Sequence, residues 1–470
     1  MATPAITQHR QSIWSSLLEA IRGTGQDFTE GSISRAILLL ATPMMLEMFM
    51  ESLFAIVDVF WVTRLGANAI ATVGLTESLM TLVFSVAFGV SLSTTAMVAR
   101  RIGEKDSRGA ATAAAQAIML GIAVAILMGV PGVLLAPRLL GWMGASAGLI
   151  ATGRHYAAIV FGSSLVVMLL FLNNAIFRGA GDASVAMRVL WMSNLINLAL
   201  DPCFIFGLGP FPALGVTGAA VSTLIGRSCG VFCQMWVLTR GHSRVVIRRT
   251  DWQVAPRVIA LLARVSATGA LQFIVAQISW VALVRMISFF GSAAVAGYTV
   301  GIRIFMFVIL PAWGLSGAAA TMVGQNLGAG KPQRAERAVW LTCFYTMAFF
   351  GFIGLAFIAV PEPITRVFAS DALVGSYAVD CLRIIGYGNL SYAFGMVMLQ
   401  AFSGAGDTVT PTIINNIGFL FCEIPLAWAL AFPAHMKVRG VFASIPIAES
   451  LIALMGLCMF TRGRWKKRRI

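Results

Sequence analysis

Long apolar runs alternate with short polar segments along the whole chain of 470 residues. Each run is about 20 residues or longer, the length at which an α-helix crosses a hydrocarbon core of about 30 Å. The pattern therefore predicts an all-α polytopic membrane protein with about twelve spanning helices. We place these helices at 36–63, 76–98, 112–135, 154–177, 188–207, 215–238, 259–290, 302–324, 338–360, 380–402, 412–432 and 440–461.

The charge pattern supports a membrane protein and gives its orientation. Charged residues make up 11% of the chain, whereas a soluble protein carries about 25%. The net charge of +15 is concentrated in every second loop (100–109, 178–188, 240–257 and 331–337) and at the C-terminus. This is the positive-inside pattern of a bacterial-type inner membrane, so we expect both termini in the cytoplasm. Lipid is thus the expected partner of the basic residues, and nucleic acid is not.

The N-terminal residues 1–32 are polar and contain no cleavable apolar core, so they do not predict a signal peptide. Ile13, Leu17 and Ile21 recur every four residues, which favours a short amphipathic helix on the cytoplasmic membrane surface. A disordered tail is the alternative that the sequence leaves open.

Two halves of the chain repeat each other. Four motif residues recur 225 positions later without a gap: Gly66 as Gly291, Gly103 as Gly328, Asp182 as Asp407 and Gly215 as Gly440. We therefore divide the chain into an N-terminal tail (1–32), an N-lobe of helices 1–6 (33–239), a cytoplasmic linker (240–257), a C-lobe of helices 7–12 (258–461) and a basic tail (462–470). Two parallel six-helix bundles predict a central cavity that opens to each side in turn as the lobes rock.

Acidic residues inside a bilayer are costly and usually functional. The first helix carries Glu47, Glu51 and Asp58, which fall within about 40° of one another around a helix. Such a stripe faces a watery cavity or basic partners, and Arg227 and Arg285 are candidate partners. An ion-paired packing seam is the structural alternative. Pro43, in the same helix, can bend it.

A second polar cluster lies on the fifth helix, where Asn194, Asn197 and Asp201 share a face and Pro202 follows. A carboxylate with amide oxygens suits a sodium ion or a shared proton, although a proline-kinked polar seam would look the same. Asn173 and Asn174, at the end of helix four, could complete this site or only cap that helix, and Thr223 on helix six could add a hydroxyl.

The C-terminal half does not keep these acids. The repeat partners of Glu47, Glu51, Asp58 and Asp201 are Gln272, Ala276, Leu283 and Leu426. We therefore expect the ion site in the first half, with Glu423 and Glu449 as weaker candidates.

The C-terminal half offers aromatic and methionine side chains that could bind flat cations, although most are expected to be ordinary packing residues. These residues are Phe273, Trp280, Tyr298, Phe305, Met306, Phe307, Trp313, Tyr392, Met396 and Met398. The seven cysteines show neither a disulfide framework nor metal-ligand spacing, and no histidine falls in a predicted helix. The sequence thus predicts no enzyme, no cofactor and no metal beyond a coupling Na⁺.

Several motifs together resemble the multidrug and toxic compound extrusion (MATE) family, over about residues 33 to 460. They are ATPMMLEMFMESLFAIVDVFWVTRLGANAIATVGL, the paired RGAGD and SGAGD loops, ARRIGEKD with GQNLGAGK, and NLALDPCF. The resemblance implies secondary active efflux of small organic compounds in exchange for H⁺ or Na⁺. The acidic cavity candidates favour cationic, amphipathic compounds, and we expect the protein to be a monomer. It implies coupling roles for Asp58, Asn174, Asn197, Asp201 and Thr223, and a helix-bending role for Pro43.

The family's NorM-like branch also uses acids on helices seven and ten. Those positions fall near Ala276 and Tyr392 here, so the chain looks more similar to the DinF-like branch. Glu47 and Glu51 lie outside the general family pattern and remain candidate cavity acids. A lipid-linked precursor flippase of the same superfamily is the alternative function, but it would favour a cationic cavity. A membrane enzyme or a channel would need motifs that this sequence lacks.

Overall fold

A computed structural model describes residues 13–23, 25–241, 243–369, 371–468 and 470. These residues are almost entirely helical and form no β-strand. The helices, numbered in chain order, are α1 Ile13–Arg22, α2 Ile33–Thr63, α3 Ala67–Gly103, α4 Ser107–Trp142, α5 Ala147–Gly162, α6 Ser164–Ala180, α7 Ala183–Phe206, α8 Val216–Arg240, α9 Pro256–Ser288, α10 Ser292–Gly328, α11 Pro332–Ala359, α12 Pro361–Arg366, α13 Ala372–Gly404, α14 Val409–Asn415, α15 Ile424–Ala431 and α16 Lys437–Thr461.

Some of these helices join into longer spans. Helices α5 and α6 meet at Ser163, and the π-helix Asn416–Glu423 links α14 to α15. Within the described residues, eleven segments are long and apolar enough to cross a membrane. Helix α13 has 33 residues, which is long enough, but it is not among these eleven because no 18-residue stretch of it is as apolar as theirs. It begins 225 positions after α5, so it takes the place of the fourth span in the second half. The all-α polytopic fold class is confirmed.

The repeat extends to the ends of the helices. Ala67, Ser107 and Ala147 begin helices in the first half, and Ser292, Pro332 and Ala372 begin helices 225 positions later. The φ angles repeat as well. Gly181 and Gly406 both adopt the left-handed conformation, at 87° and 79°, which glycine reaches without steric cost. We call α2–α8 the N-terminal half and α9–α16 the C-terminal half.

The two halves touch at two equivalent helix crossings. Gly89 of α3 lies against the backbone of Ser266 and Ala270 in α9, and Gly314 of α10 lies against the backbone of Met44 in α2. Gly89 and Gly314 are repeat partners, 225 positions apart. A glycine at each crossing allows close backbone approach, which is how helices associate where the hydrophobic effect is weak.

One end of the bundle is closed between the halves. We call this the basic end; α3, α6, α8 and α10 finish there, at Gly103, Ala180, Arg240 and Gly328. Gly103 packs on the Gln325 carbonyl, and Gly328 packs on the Arg100 carbonyl, again in repeat-related positions. Gln325 Nε2 also donates to the Gly179 carbonyl at 2.9 Å.

The chain before α2 adds to this closure. Residues 25–32, which we call the strap, contact both halves. Lys331 and Arg334 of the C-terminal half donate to the carbonyls of Thr29 and Glu30, at 3.1 and 2.7 Å. Arg244, in the linker that follows α8, donates to the Gln26 carbonyl at 2.5 Å. The Phe28 side chain is buried beside Gly181.

Helix α1 and the segment around Trp465 are both packed against neighbouring helices. Helix α1 lies against α2 through the ion pair of Glu19 with Arg35, at 2.7 Å, while its Leu18 side chain is exposed. At the other end, Trp465 is buried and stacks on Phe460 with ring centroids 4.7 Å apart. The part of the predicted tail that precedes residue 13 lies outside the described residues.

Candidate binding cavity

A cavity of about 260 Å³ lies between the two halves. Its N-terminal wall comes from α2, α3, α6, α7 and α8, and its C-terminal wall from α9, α10 and α13. Aromatic rings from both sides meet there. Phe88 stacks on Phe273 at 4.9 Å, and Trp313 lies edge-on to both rings at 5.8 and 5.9 Å. Phe84 and Phe171 extend this aromatic surface.

The N-terminal wall carries charges of both signs. Glu47 and Glu51 of α2 line the cavity with Arg178 of α6 and Arg227 of α8. Glu51 Oε1 lies 3.5 Å from Arg227, and Asn194 Nδ2 donates to Glu51 Oε2 at 3.2 Å. Each cavity acid therefore has an arginine beside it, yet both remain on the wall of an open space.

Glu47 has the tighter surroundings of the two acids. Its side chain is fully buried; Oε1 accepts from Asn174 Nδ2 at 3.1 Å and lies 3.9 Å from Arg178. Gln234 Nε2 donates to the oxygen of Asn174 at 2.6 Å, which fixes that amide. Glu47 Oε2 has no hydrogen-bond partner among the described residues.

A separate polar network lies between α7 and α8. Asp201 is fully buried and accepts a hydrogen bond from the Ser222 hydroxyl. Asn197 Nδ2 donates to Asp201 at 3.1 Å, while its oxygen accepts from the hydroxyl and backbone N–H of Thr223 at 2.9 and 2.7 Å. We assign this amide orientation because, in the opposite one, the amide oxygen would face only acceptors and the amide nitrogen only donors.

Asp58 lies on α2 beyond the cavity wall. Its Oδ1 is buried without a hydrogen-bond partner among the residues that the structure describes. Arg227 and Asp201 are both close enough to interact with it electrostatically. The structure thus links Asp58 to the Asp201 network through charge, whereas Asn174 bonds to Glu47 and Gln234 instead.

A family model described as MatE matches residues 43–203 and 270–429, most of the chain, as two copies. The chain belongs to the MatE family. A relative named "Probable multidrug resistance protein NorM", from Thermotoga maritima, is 26% identical to this MatE protein, over 93% of this chain and 94% of its own. A relative named "FAD transporter", from Shewanella oneidensis, is 25% identical, over 90% and 93%.

Solved structures share the MatE fold. One, described as an outward-facing conformation of a multidrug resistance MATE family transporter, superposes with a TM-score of 0.87 at 24% identity, covering 94% of this chain and 97% of that one. A transporter from Pyrococcus furiosus, whose description reports a binding pocket of reverse polarity, gives a TM-score of 0.86 at 24% identity over 96% and 99%. At this identity the likeness shows the fold alone.

The residues predicted from sequence fall in several places within this MatE fold. Of the ten aromatic and methionine candidates, Phe273 and Trp313 line the cavity, and Tyr392 and Met396 line a smaller chamber beside it. Tyr298, Phe305 and Met398 are buried in the core, and Trp280, Met306 and Phe307 are exposed.

The structure also shows where the two candidate arginine partners and the candidate helix-bending proline lie. Arg227 does lie beside Glu51, while Arg285 lies over the ring of Phe289. Pro43 sits inside α2, which continues through it as one helix.

Sequence reasoning missed three members of these networks: Arg178, Gln234 and Ser222. The predicted loop 178–188 begins at Arg178, which in fact lies on α6, one helical turn after Asn174; that spacing is the signal that identifies it. Gln234 and Ser222 carried no such signal, because their roles depend on which helices pack against α8.

Proposed function

We propose that this protein is a secondary active efflux transporter that exports small amphipathic organic compounds in exchange for H⁺ or Na⁺. The observation that carries the proposal is the cavity between two repeat-related halves, together with incompletely paired carboxylates in the N-terminal half. Glu47 Oε2 and Asp58 Oδ1 are buried oxygens without hydrogen-bond partners among the described residues. Such oxygens are costly unless a proton or a cation occupies them for part of the cycle.

The coupling site in this proposal centres on Asp58 and the Asp201 network. Asp58, Asn197, Asp201 and Thr223 would hold the ion, with Ser222 as an additional ligand or donor. Asn174 would not bind the ion itself; it would orient Glu47 at the cavity through their hydrogen bond. Since an ion shifts a two-state equilibrium only by its different affinity for the two states, loading must favour one arrangement of the halves.

The substrate class follows from the cavity walls. Aromatic rings from both halves suit a flat apolar body, and the names of the relatives include multidrug resistance proteins. The acids alone predicted a cationic substrate. The arginines beside them make the N-terminal wall balanced in charge, so we base the proposed preference for cations on the C-terminal side, as argued below.

The remaining assignments belong to the same proposal. The basic end would face the cytoplasm of an inner membrane, with both termini on that side. The moving bodies would be the segments 33–239 and 258–461 of a monomer, joined by the linker 240–257. Ala276 and Tyr392, which stand where the NorM-like branch has acids, favour the DinF-like branch.

The test is transport in proteoliposomes with the proton and sodium gradients imposed separately. A fluorescent planar cation such as ethidium serves as the probe. We expect one gradient to drive export by the wild-type protein, and Asp58→Asn to abolish that export while the protein stays folded. Asp380→Asn is the matched control, because Asp380 forms an ion pair with the exposed Arg439. Export by Asp58→Asn at the wild-type rate would refute the coupling role of Asp58.

A further inference from the structure

A second, smaller chamber of about 120 Å³ opens beside the central cavity in the C-terminal half. Leu92, Phe273, Trp313 and Gln400 line both spaces, so the two share a wall. The chamber is otherwise lined by Gln272, Ala276, Tyr392, Met396, Leu399, Asn415, Phe419, Glu449 and Ile452.

This chamber is the repeat counterpart of the charged part of the central cavity. Gln272 stands 225 positions after Glu47, Asn415 after Leu190, and Ile452 after Arg227. In each case both members of the pair line their respective space. The second chamber therefore has the same architecture, but the residues that correspond to Glu47 and Arg227 are uncharged.

The chamber nevertheless contains unsatisfied polar groups. Gln272 Oε1 and Asn415 Oδ1 are buried without a hydrogen-bond partner among the described residues. Glu449, whose side chain is 9% exposed, has neither a hydrogen bond nor an ion pair with any residue in the part of the chain that the structure describes. Native proteins satisfy nearly all buried polar groups, so three such groups in one chamber point to a missing partner.

Neighbouring groups do not supply that partner. Glu423 lies close enough to Glu449 to interact with it electrostatically, but it carries the same charge and accepts a hydrogen bond from Ser279 at 2.5 Å. The wall contains no lysine or arginine among its described residues. A positively charged N–H donor would complement a carboxylate and two amide oxygens together.

We propose that this chamber binds the protonated amine of the transported molecule, an assignment that rests on the proposed function. Glu449 supplies the counter-charge, and the oxygens of Gln272 and Asn415 accept the N–H groups. The aromatic rings of Tyr392 and Phe419 add favourable contacts to a cation. Because Phe273 and Trp313 border both spaces, a flat ring system in the central cavity can place an alkylamine arm in the chamber.

The test compares two ligands that differ only in that arm. One is a fluorescent planar aromatic with a short alkylamine, and the other is the same aromatic with a hydroxyl in place of the amine. Binding to the full-length protein in nanodiscs is measured without any gradient. We expect Glu449→Gln to weaken binding of the amine by about tenfold or more, the effect of losing a charge-assisted hydrogen bond, and to leave the alcohol within about twofold.

Two further variants complete the design. Asn415→Leu should also weaken binding of the amine, but by less than Glu449→Gln does. It provides a second test if Glu449→Gln does not fold. Glu362→Gln, at an exposed ion pair with Arg383, is the control and should change neither affinity. Equal losses for amine and alcohol, or no loss for either, would overturn the subsite.

Sodium is the other monovalent cation that these oxygens could bind. If Na⁺ alone binds the wild-type protein and Glu449→Gln removes that binding, the chamber is an ion site and the amine assignment is wrong. Since no gradient is used, these outcomes are independent of transport. A protein that binds the amine but exports nothing would count against the proposed function and not against the subsite.

Discussion

At the scale of single residues, the two cavity acids differ in how they are held. Glu51 is partly exposed and has both an amide and an arginine near it, whereas Glu47 is fully buried with one oxygen unsatisfied. A buried carboxylate depends strongly on its remaining partners, because water cannot replace them. Arg178, the only arginine that the structure pairs with Glu47 among the described residues, should therefore matter for stability as well as for binding.

We predict that Arg178→Gln lowers the free energy of unfolding by about 1–3 kcal/mol, because it leaves the Glu47 carboxylate buried without a counter-charge. The double variant with Glu47→Gln should recover most of that loss. Thermal unfolding of the four proteins of this cycle measures the coupling between the two side chains. If the effects of the two substitutions on the free energy of unfolding are additive, the Arg178–Glu47 pair, 3.9 Å apart, does not contribute to stability.

The helical period predicted which residues of α2 face the interior, but not what they meet there. Glu47 and Glu51 were expected on one face and do line one cavity. Asp58 belongs to the same stripe but lies seven residues further along, beyond the cavity wall. Which arginine or amide reaches each acid depends on the packing of α6, α7 and α8, and periodicity within α2 contains no information about that packing.

At the scale of elements, the helices are longer than their apolar cores. The predicted span 76–98 is part of α3, Ala67–Gly103, and the predicted loop 178–188 shrinks to Gly181 and Asp182. Hydropathy identifies only the part of a helix that lies in hydrocarbon. The ends continue into water and are set by caps, such as Asp106, whose carboxylate accepts from the Gly109 N–H at 2.8 Å.

We predict that Gly103→Ala opens the basic end, because the added methyl group would overlap the Gln325 carbonyl. Ser91, which lines the cavity, can be replaced by cysteine as a reporter in a background without the natural cysteines. A membrane-impermeant thiol reagent is applied from the basic side, and the rate at which it labels that cysteine is measured. We expect this rate to rise several-fold, because the closed state loses about 1 kcal/mol of stability.

The control for this change is Gly74→Ala in the same helix, where nothing lies within 4 Å of the added carbon. That variant should leave the labelling rate unchanged. If both alanines give the same rate, the packing of Gly103 does not hold the basic end closed.

At the scale of the whole molecule, the arrangement of the helices in two halves could largely be predicted from the sequence, but the closure of the basic end could not. One register of 225 positions predicted two equivalent bundles, and the helix ends follow that register. The strap could not be predicted, because residues 25–32 have no periodicity and their ordering depends on arginines and a lysine far away in the sequence. The stacking of Trp465 on Phe460 also escaped prediction, because Trp465 lies in the basic tail after the last apolar run and belongs to no periodic pattern.

We predict that Phe28→Ala destabilises the purified protein by about 3 kcal/mol, the usual cost of emptying a buried phenylalanine site. Because the strap contacts both halves, the same change should also speed labelling of the Ser91→Cys reporter from the basic side. Leu18→Ala, at a half-exposed position of α1, is the control and should cost much less. Unchanged labelling with Phe28→Ala would mean that the strap covers the basic end without holding it shut.

The paired glycine crossings also limit the motions open to the molecule. At Gly89 and at Gly314 the backbone of one half rests directly on the backbone of the other, so neither half can slide past its partner without a collision. Rotation about the line that joins the two contacts keeps both of them intact. In the proposed transport cycle these two glycine contacts would therefore serve as the pivot, and any side chain large enough to separate one contact would tilt the axis about which the halves rotate.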